Sequence, residues 1–536
     1  MVDVNKHIQL TIEKTTRTPG RDNFGKMLAL TLETPLIAFP NSELTKLYSA
    51  ATDVSTDFGS SSEIAKVATA IFSQEKKVTD FYVGLRSASV AKVQEVVFSG
   101  ALGAAHTVTG TINGEAISVP FNTSDAQTLT DLCTAAALVE GVQSCSTGAN
   151  LVEVTAVAEW NLTISLSVAG TPATTVTVNS SVKKVDLNFS GALAAGDVID
   201  GFVEIGGVAT AITSVPFNTS DAQTLTDLAT ELLTVTTVIS AAVTGINKIT
   251  VTGIADVPLE LTGFVAVGGN APTITVDKLV EPGRTISDDI ADVIAENNKW
   301  YMLLSPTRNK GLALAGASTI EPLIKAALFT SNESDILTGS TTDIQSKLED
   351  LAYARTAHLY YSDEALYSDA SWASRCLALP PGSGIWAFKT LIGITTDALT
   401  VGQVTNIESK NGNHYTETAD FGDTQPGTLA NGDFLDFRRN LDYMYNEISL
   451  DMFQHLKSNE IIYFTQDGID SCDAVLKGTL RRMVDEKILA SYTTTKPDIA
   501  DIDSNDKANR LLNKLEFTAV GSGAIQGIII DGAVEV

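Results

Sequence analysis

Val119-Pro-Phe-Asn-Thr-Ser-Asp-Ala-Gln-Thr-Leu-Thr-Asp-Leu132 recurs without a change as Val215–Leu228. Upstream, Phe98-Ser-Gly-Ala-Leu102 recurs as Phe189-Ser-Gly-Ala-Leu193, and the spacing between the two landmarks is slightly longer in the second copy. Self-similarity of this kind marks a repeated structural unit. It places one module at 93–181 and a second, with a short insertion, at 184–278. Each reads locally as mostly β with one helix. Ala116-Ile-Ser-Val-Pro120 ends an apolar strand. Ser124 with Gln127, and Ser220 with Gln223, have the spacing of a capping box that opens a helix. Alternating segments such as Asn161–Ser167 and Asn247–Thr252 read as strands. The Asn, Ser and Asp of the motif could be ligands, but a helix start after a strand explains the same residues.

Composition changes at the same borders. No arginine lies between Arg86 and Arg284, and residues 93–278 hold seventeen acids against four lysines. The flanks alternate differently. Residues 61–74 carry Ile64, Val67, Ala68, Ile71 and Phe72 on one helical face. Phe81–Leu85 reads as a buried strand. Beyond the repeats, Ile286–Asn297 reads as a helix, Trp300–Leu304 as a strand, and Ala326–Thr330 and Ala357–Tyr361 as strands around a helix Asp343–Arg355. Alternating strand and helix predicts an α/β layer, split near residue 90 and resumed near 280. Amphipathic helices are expected over 434–456 and 469–491. Both ends read as strands: His7–Glu13, and Leu515–Val520 with Gly527–Ile530.

The chain has 536 residues, 44% hydrophobic and 19% charged, with net charge −28. That length allows several domains. The acidic balance disfavours direct contact with nucleic acid, which needs clustered Lys and Arg, and with anionic membrane surfaces. No apolar run is long enough to span a bilayer, and the first residues do not read as a signal peptide. Cys133, Cys145, Cys376 and Cys472 form no CxxC pair and read as small buried hydrophobes of a protein made in a reducing cytoplasm. The five histidines are scattered, so no metal site is expected. There is no P-loop, H-E-x-x-H or G-x-S-x-G, and Pro380-Pro-Gly-Ser-Gly384 reads as a turn. No catalytic residue, cofactor or enzymatic activity is expected. Asp436, Arg438, Arg439 and Asp442 sit on one helix, where internal salt bridges are the ordinary reading and contacts to a neighbouring subunit the alternative.

Several flanking motifs resemble the contractile tail sheath proteins of myophages. They are Asp57-Phe-Gly-Ser-Ser-Ser-Glu63, Ala70–Gln74, Phe81-Tyr-Val-Gly-Leu-Arg86, Asn431-Gly-Asp-Phe-Leu-Asp436 followed by Arg438-Arg439 and Asp442-Tyr443, and Ile462-Tyr-Phe-Thr-Gln-Asp-Gly-Ile469. In the last, Tyr463 stands where the family usually has Pro, and Gln466 where it has Asp. The resemblance covers roughly 1–90 and 285–536. It implies an α+β or α/β multidomain chain. A sheath-like core would occupy 21–92 and 285–420, a domain facing the tube 421–510, and linking arms 1–20 and 511–536, with the two modules inserted. It implies six-fold rings stacked helically around a tail tube, with further contacts to baseplate and tail terminator proteins, in the tail of a virion assembled in the host bacterial cytoplasm. Contraction would proceed by subunit rearrangement and drive the tube through the host envelope. The arms would join subunits by strand addition through Ile8, Leu10 and Ile12 at one end and Leu515, Phe517, Ile528 and Ile530 at the other. Asp436, Arg438, Arg439 and Asp442 would touch a neighbour or the tube. The competing reading is a virion adhesin that binds a receptor through the duplicated modules.

Overall fold

The computed structural model describes residues 24–526, apart from 88–91, 149, 171–173, 181–182, 206–207, 236–237, 246, 254–258 and 281–284. The chain forms two compact units: Met1–Ser87 with Ser287–Val536, and Ala88–Ile286. Ile8, Leu10, Ile12, Ile528 and Ile530 lie outside the described residues.

The split unit is organised by an eight-stranded sheet in the order Thr45–Tyr48, Phe81–Leu85, Met27–Thr31, Met302–Leu304, Ala326–Ser331, Thr356–Tyr360, Asn413–Thr418, Phe421–Gln425. The six inner strands run parallel, and the two outermost are antiparallel to their neighbours. Parallel strands covered on both faces read as continuous apolar runs rather than alternations, and Met27–Thr31 and Thr356–Tyr360 are buried throughout. Met27–Thr31 pairs with Phe81–Leu85 on one side and Met302–Leu304 on the other, so chain from before and after the insertion is joined by backbone hydrogen bonds. Buried Arg86 and Asp289 form an ion pair at 2.8 Å beside that junction. The core is aromatic: Trp372 meets Trp386 edge-on at 5.2 Å, and Phe24 packs on Tyr301.

After the sheet come two long helices, Leu435–Ser458 and Gln466–Asp485, and an antiparallel strand pair, Leu489–Thr495 with Glu516–Gly521. The second helix was expected to run to residue 491. It stops at Asp485, because Leu489-Ala-Ser-Tyr-Thr-Thr-Thr495 is rich in β-branched residues that pack better in a strand. Met444, Ile448, Leu476, Leu480 and Met483 form a separate small core here.

Each module has a core of its own, gathered round its helix: Leu129 and Leu132 with Val96, Val152 and Val154, or Leu225 and Leu228 with Leu187, Ile249 and Val251. Four-stranded sheets of matching order flank them: Val176–Ser180, Val93–Phe98, Leu151–Ala156, Val142–Gly148 in the first; Ile274–Val280, Lys183–Phe189, Lys248–Gly253, Val238–Gly245 in the second. The helices are Asp125–Ala136 and Asp221–Leu232. Ser124 Oγ accepts from Gln127 N, and Ser220 Oγ from Gln223 N, both at 3.2 Å. The reciprocal half of the capping box is absent. Gln127 Nε2 donates instead to Asp131 Oδ1 and Gln223 Nε2 to Asp227 Oδ1, both at 2.9 Å, charge-assisted bonds that draw each amide one turn on, away from the N-cap N–H.

The cysteine reading needs correction as well. Cys133 and Cys145 are joined in a disulfide; Cys376 and Cys472 are free. Spacing alone did not reveal the bond, since the helix and the strand that carry the pair meet only in the folded module.

Candidate functional site

The residues singled out on the long helix divide by depth. Arg439 is buried and donates to main-chain carbonyls: Nε and Nη2 to Phe24 O at 3.1 and 2.8 Å, and Nη2 also to Leu379 O at 2.9 Å. Burial lowers its pKa to about 10. Its planar fork satisfies carbonyls at the end of helix Ser368–Leu377, where no intrahelical partner exists. Asp442, also buried, accepts from Arg355 Nη1 at 2.6 Å and Tyr301 Oη at 2.9 Å. Burial raises its carboxyl pKa and Arg355 opposes the shift. Both side chains are spent on partners inside the chain. Asp436 is partly buried with its pKa raised by desolvation, and Arg438 reaches Asp433 at 3.7 Å. These two border the surface.

The helix opens where the resemblance placed its motif. Gly432, at φ 87°, turns the chain, and Gly432 N donates to Leu429 O before the helix starts at Leu435. The next motif serves the next helix: Thr465 Oγ1 accepts from Gly468 N at 3.2 Å, capping Gln466–Asp485. A Cβ on Gly468 would sit 2.0 Å from the Tyr463 carbonyl oxygen, so only glycine fits that position.

Between the two helices and strand Glu516–Gly521 lies an apolar groove of about 890 Å³, lined among others by Phe437, Leu441, Met452, Ile469, Leu511 and Phe517. Phe437, Leu441, Met444, Ile448 and Met452 recur at helical spacing, and the apolar stripe they make is the groove floor. Phe437, Leu456, Tyr463 and Leu511 keep between 38% and 65% of their surface exposed. Leu515 and Phe517, expected in a linking arm, pack against the small core of their own chain. The two strands pair with each other and, among the described residues, with no third. Sequence reading missed the groove because helix and strand were treated separately; the β-branched run at 489–495 was the signal that could have found the missing wall.

Open parallel sheets usually bind ligands beyond the carboxyl ends of their strands. Here that edge is knit by internal pairs. Arg308 binds Asp369 with two hydrogen bonds at 2.6 and 2.7 Å, and Glu33 accepts from the amides of Glu63 and Ile64, both at 2.9 Å. Deeper in the sheet, His358 Nε2 meets Ser331 Oγ and Nδ1 meets Gln345 Nε2, and burial pushes its pKa down to about 3. Among the described residues no group of His, Cys, Asp or Glu is arranged to hold a metal, and no helix is long and apolar enough to cross a membrane.

No family model matches the chain, and no curated protein matches it in sequence. Solved structures do. The sheath tail protein of Desulfitobacterium hafniense is 9% identical, with 91% of this chain and 93% of that one covered, at a TM-score of 0.40. The sheath tail protein of Listeria innocua is 10% identical, covering 93% and 89%, at 0.37. The contracted helical sheath of the anti-feeding prophage is 13% identical over 50% of this chain and 79% of that one, at 0.37. The structural neighbours of this chain are thus sheath proteins of contractile injection systems and of phage-like tails.

Proposed function

We propose that the chain is a structural subunit of a contractile tail sheath, with no catalytic role. The observation that carries the reading is the ordered set of motifs from Asp57 to Ile469, all of which fall in the split unit. They occupy its working parts: Asp57 takes hydrogen bonds from Tyr48 and Lys46, Phe81–Leu85 is an inner strand, and the last two motifs open the two long helices. In this reading subunits form six-fold rings stacked around a tail tube, capped by baseplate and terminator proteins. The unpaired edges of Leu489–Thr495 and Glu516–Gly521 receive strands from neighbouring subunits, the apolar groove beside them takes the side chains, and segments 1–20 and 522–536 supply the strands. Head-to-tail contacts of that kind propagate a helical array. Contraction is a repacking of rigid cores into a lower-energy array, and the linking strands keep the mesh connected while it drives the tube through an envelope. Asp436 and Arg438 remain the surface candidates for contact with a neighbour or the tube.

Negative-stain microscopy of the purified chain, alone and with a tube protein, tests this. Rings or tubes are expected, and they should vanish when residues 1–13 or 522–536 are removed while the melting transition survives. Monodisperse monomers at high concentration, even beside tube protein, would overturn the reading. A virion adhesin is the second reading. It is favoured by an exposed network repeated in both modules: Asn122 and Gln127 on Asp131, Asn218 and Gln223 on Asp227. Removing 93–278 separates the two readings: a sheath keeps its assembly, an adhesin loses attachment.

A further inference from the structure

The two modules share a fold and one identical helix start, yet only the first carries a covalent cross-link. Cys133 lies on helix Asp125–Ala136 and Cys145 on strand Val142–Gly148, with Cα atoms 5.1 Å apart. The second module shows what replaces them. Cys133 follows Leu132 directly, as Ala229 follows Leu228 at the end of the identical stretch. Cys145 pairs across the ladder with Val154, the fourth residue of strand Leu151–Ala156. Ala241 pairs with Val251, the fourth residue of strand Lys248–Gly253. So Ala229 and Ala241 occupy the positions of the bridged cysteines, and both lie in or against the core of the second module. The module fold closes without the bond.

We propose that Cys133 and Cys145 form a redox-conditional clamp that makes the first module stiffer than the second in oxidising surroundings and equivalent to it in reducing ones. The chemistry is thiol–disulfide exchange with a low-molecular-weight disulfide. The thiolate of one cysteine attacks the small disulfide, forming a mixed disulfide and releasing one thiolate. The second cysteine attacks the mixed disulfide and releases the other thiolate. The protein dithiol loses two protons and two electrons, and the small disulfide is reduced to two thiols. Cys145 is partly exposed and Cys133 nearly buried, so the first attack falls to Cys145 and the exchange closes inward. A reducing cytoplasm holds the dithiol and an oxidising exterior allows the bond. The clamp therefore distinguishes the inside of a cell from the outside. A bond closing a loop of this length removes unfolded-state entropy equivalent to an opening equilibrium about 100-fold less favourable.

The test uses the full chain, equilibrated in reduced and then in oxidised glutathione, with alkylation mass spectrometry and hydrogen exchange read on the same samples. In excess oxidised glutathione, peptides holding Cys133 and Cys145 should resist alkylation and give one internal cross-link. Amides in 125–148 should exchange about 100-fold more slowly than in the reduced sample, while those in 221–245 stay unchanged between the two. The double variant C133A/C145A, which copies the second module, should fold and lose the redox dependence. Full alkylation of both cysteines after oxidation, a cross-link between two chains, or equal exchange of 125–148 in both samples would each overturn the proposal.

Discussion

The sheet unit and the inserted modules solve the same packing problem with different materials. Trp300, Trp372 and Trp386 all sit in the sheet unit, with buried ion pairs Arg86–Asp289, Arg355–Asp442 and Lys410–Asp343 joining elements distant in sequence. The modules close mainly over Val, Leu and Ile, with Phe98 and Trp160 in the first and Phe189 and Phe264 in the second, and hold no arginine; Asp125 and Asp221 accept from backbone amides, Leu102 N and Leu193 N, both at 2.7 Å. The difference shows how a chain can be interrupted for some two hundred residues. The sheet unit is tied across the gap by strand pairing and a buried charge pair, whereas each module gathers an apolar core of its own.

The comparison breaks first at Asp442. Asp442→Ala takes the carboxylate away from buried Arg355, and removing one partner of a buried pair costs about 3–5 kcal/mol. Urea unfolding followed by tryptophan fluorescence in a Trp160→Phe background, which leaves Trp300, Trp372 and Trp386 of the sheet unit as reporters, should show that loss, with hydrogen exchange in 125–148 and 221–245 unchanged. If module protection falls in parallel, the two cores are not independent.

Leu132→Ala and Leu228→Ala make the reverse cut. Both residues are almost fully buried, and each truncation should cost about 2–5 kcal/mol within its module. Exchange in the other module and in the sheet unit should hold. Closely matched losses under reducing conditions would sharpen the equivalence of the copies.

His358 offers a smaller and pH-dependent handle. Its folded pKa, pushed to about 3 by burial, lies below its ordinary value of 6.5. The unfolded chain therefore takes up a proton between these values and the folded one does not. Stability carried by the neutral ring is complete above pH 6.5 and declines as pH falls toward 3, at about 1.4 kcal/mol per pH unit in that window. Unfolding curves of His358→Gln should lack this component of the slope. An identical pH profile in the variant would remove His358 as its source.

The smallest effect is the most discriminating between the copies. Ser124→Ala and Ser220→Ala each remove one helix cap, at about 1 kcal/mol. Equal costs, measured under reducing conditions by exchange in the first turns of the two helices, follow from their identical geometry. Unequal costs would mean the copies differ beyond their sequence-identical start.

Much of this was legible in one dimension. A repeat is visible without any structure because it compares the chain with itself, and the chain divides into compact units close to the expected split. Long periodic segments such as 434–456 declared themselves for the same local reason. The capping box was half right: Ser124 caps, but Gln127 turns to Asp131, a choice between accepting from the Ser124 N–H and donating to a carboxylate that spacing does not decide. Arg439 and Asp442 read from the sequence as salt-bridging charges on one helix, or as contacts to a neighbouring subunit. They are interior because Phe24, Tyr301 and Arg355, each far away in sequence, come to meet them.

Residue order by itself thus determined that one stretch recurs and where the long periodic segments lie, because these depend on contacts within a few residues or on comparison of like with like. Only the tertiary structure decided the strand order that joins Met27–Thr31 to Met302–Leu304, the depth of the helix charges, the apolar groove and the Cys133–Cys145 bond. Each of these depends on which distant segments become neighbours, and burial and pairing energies act only once they have done so.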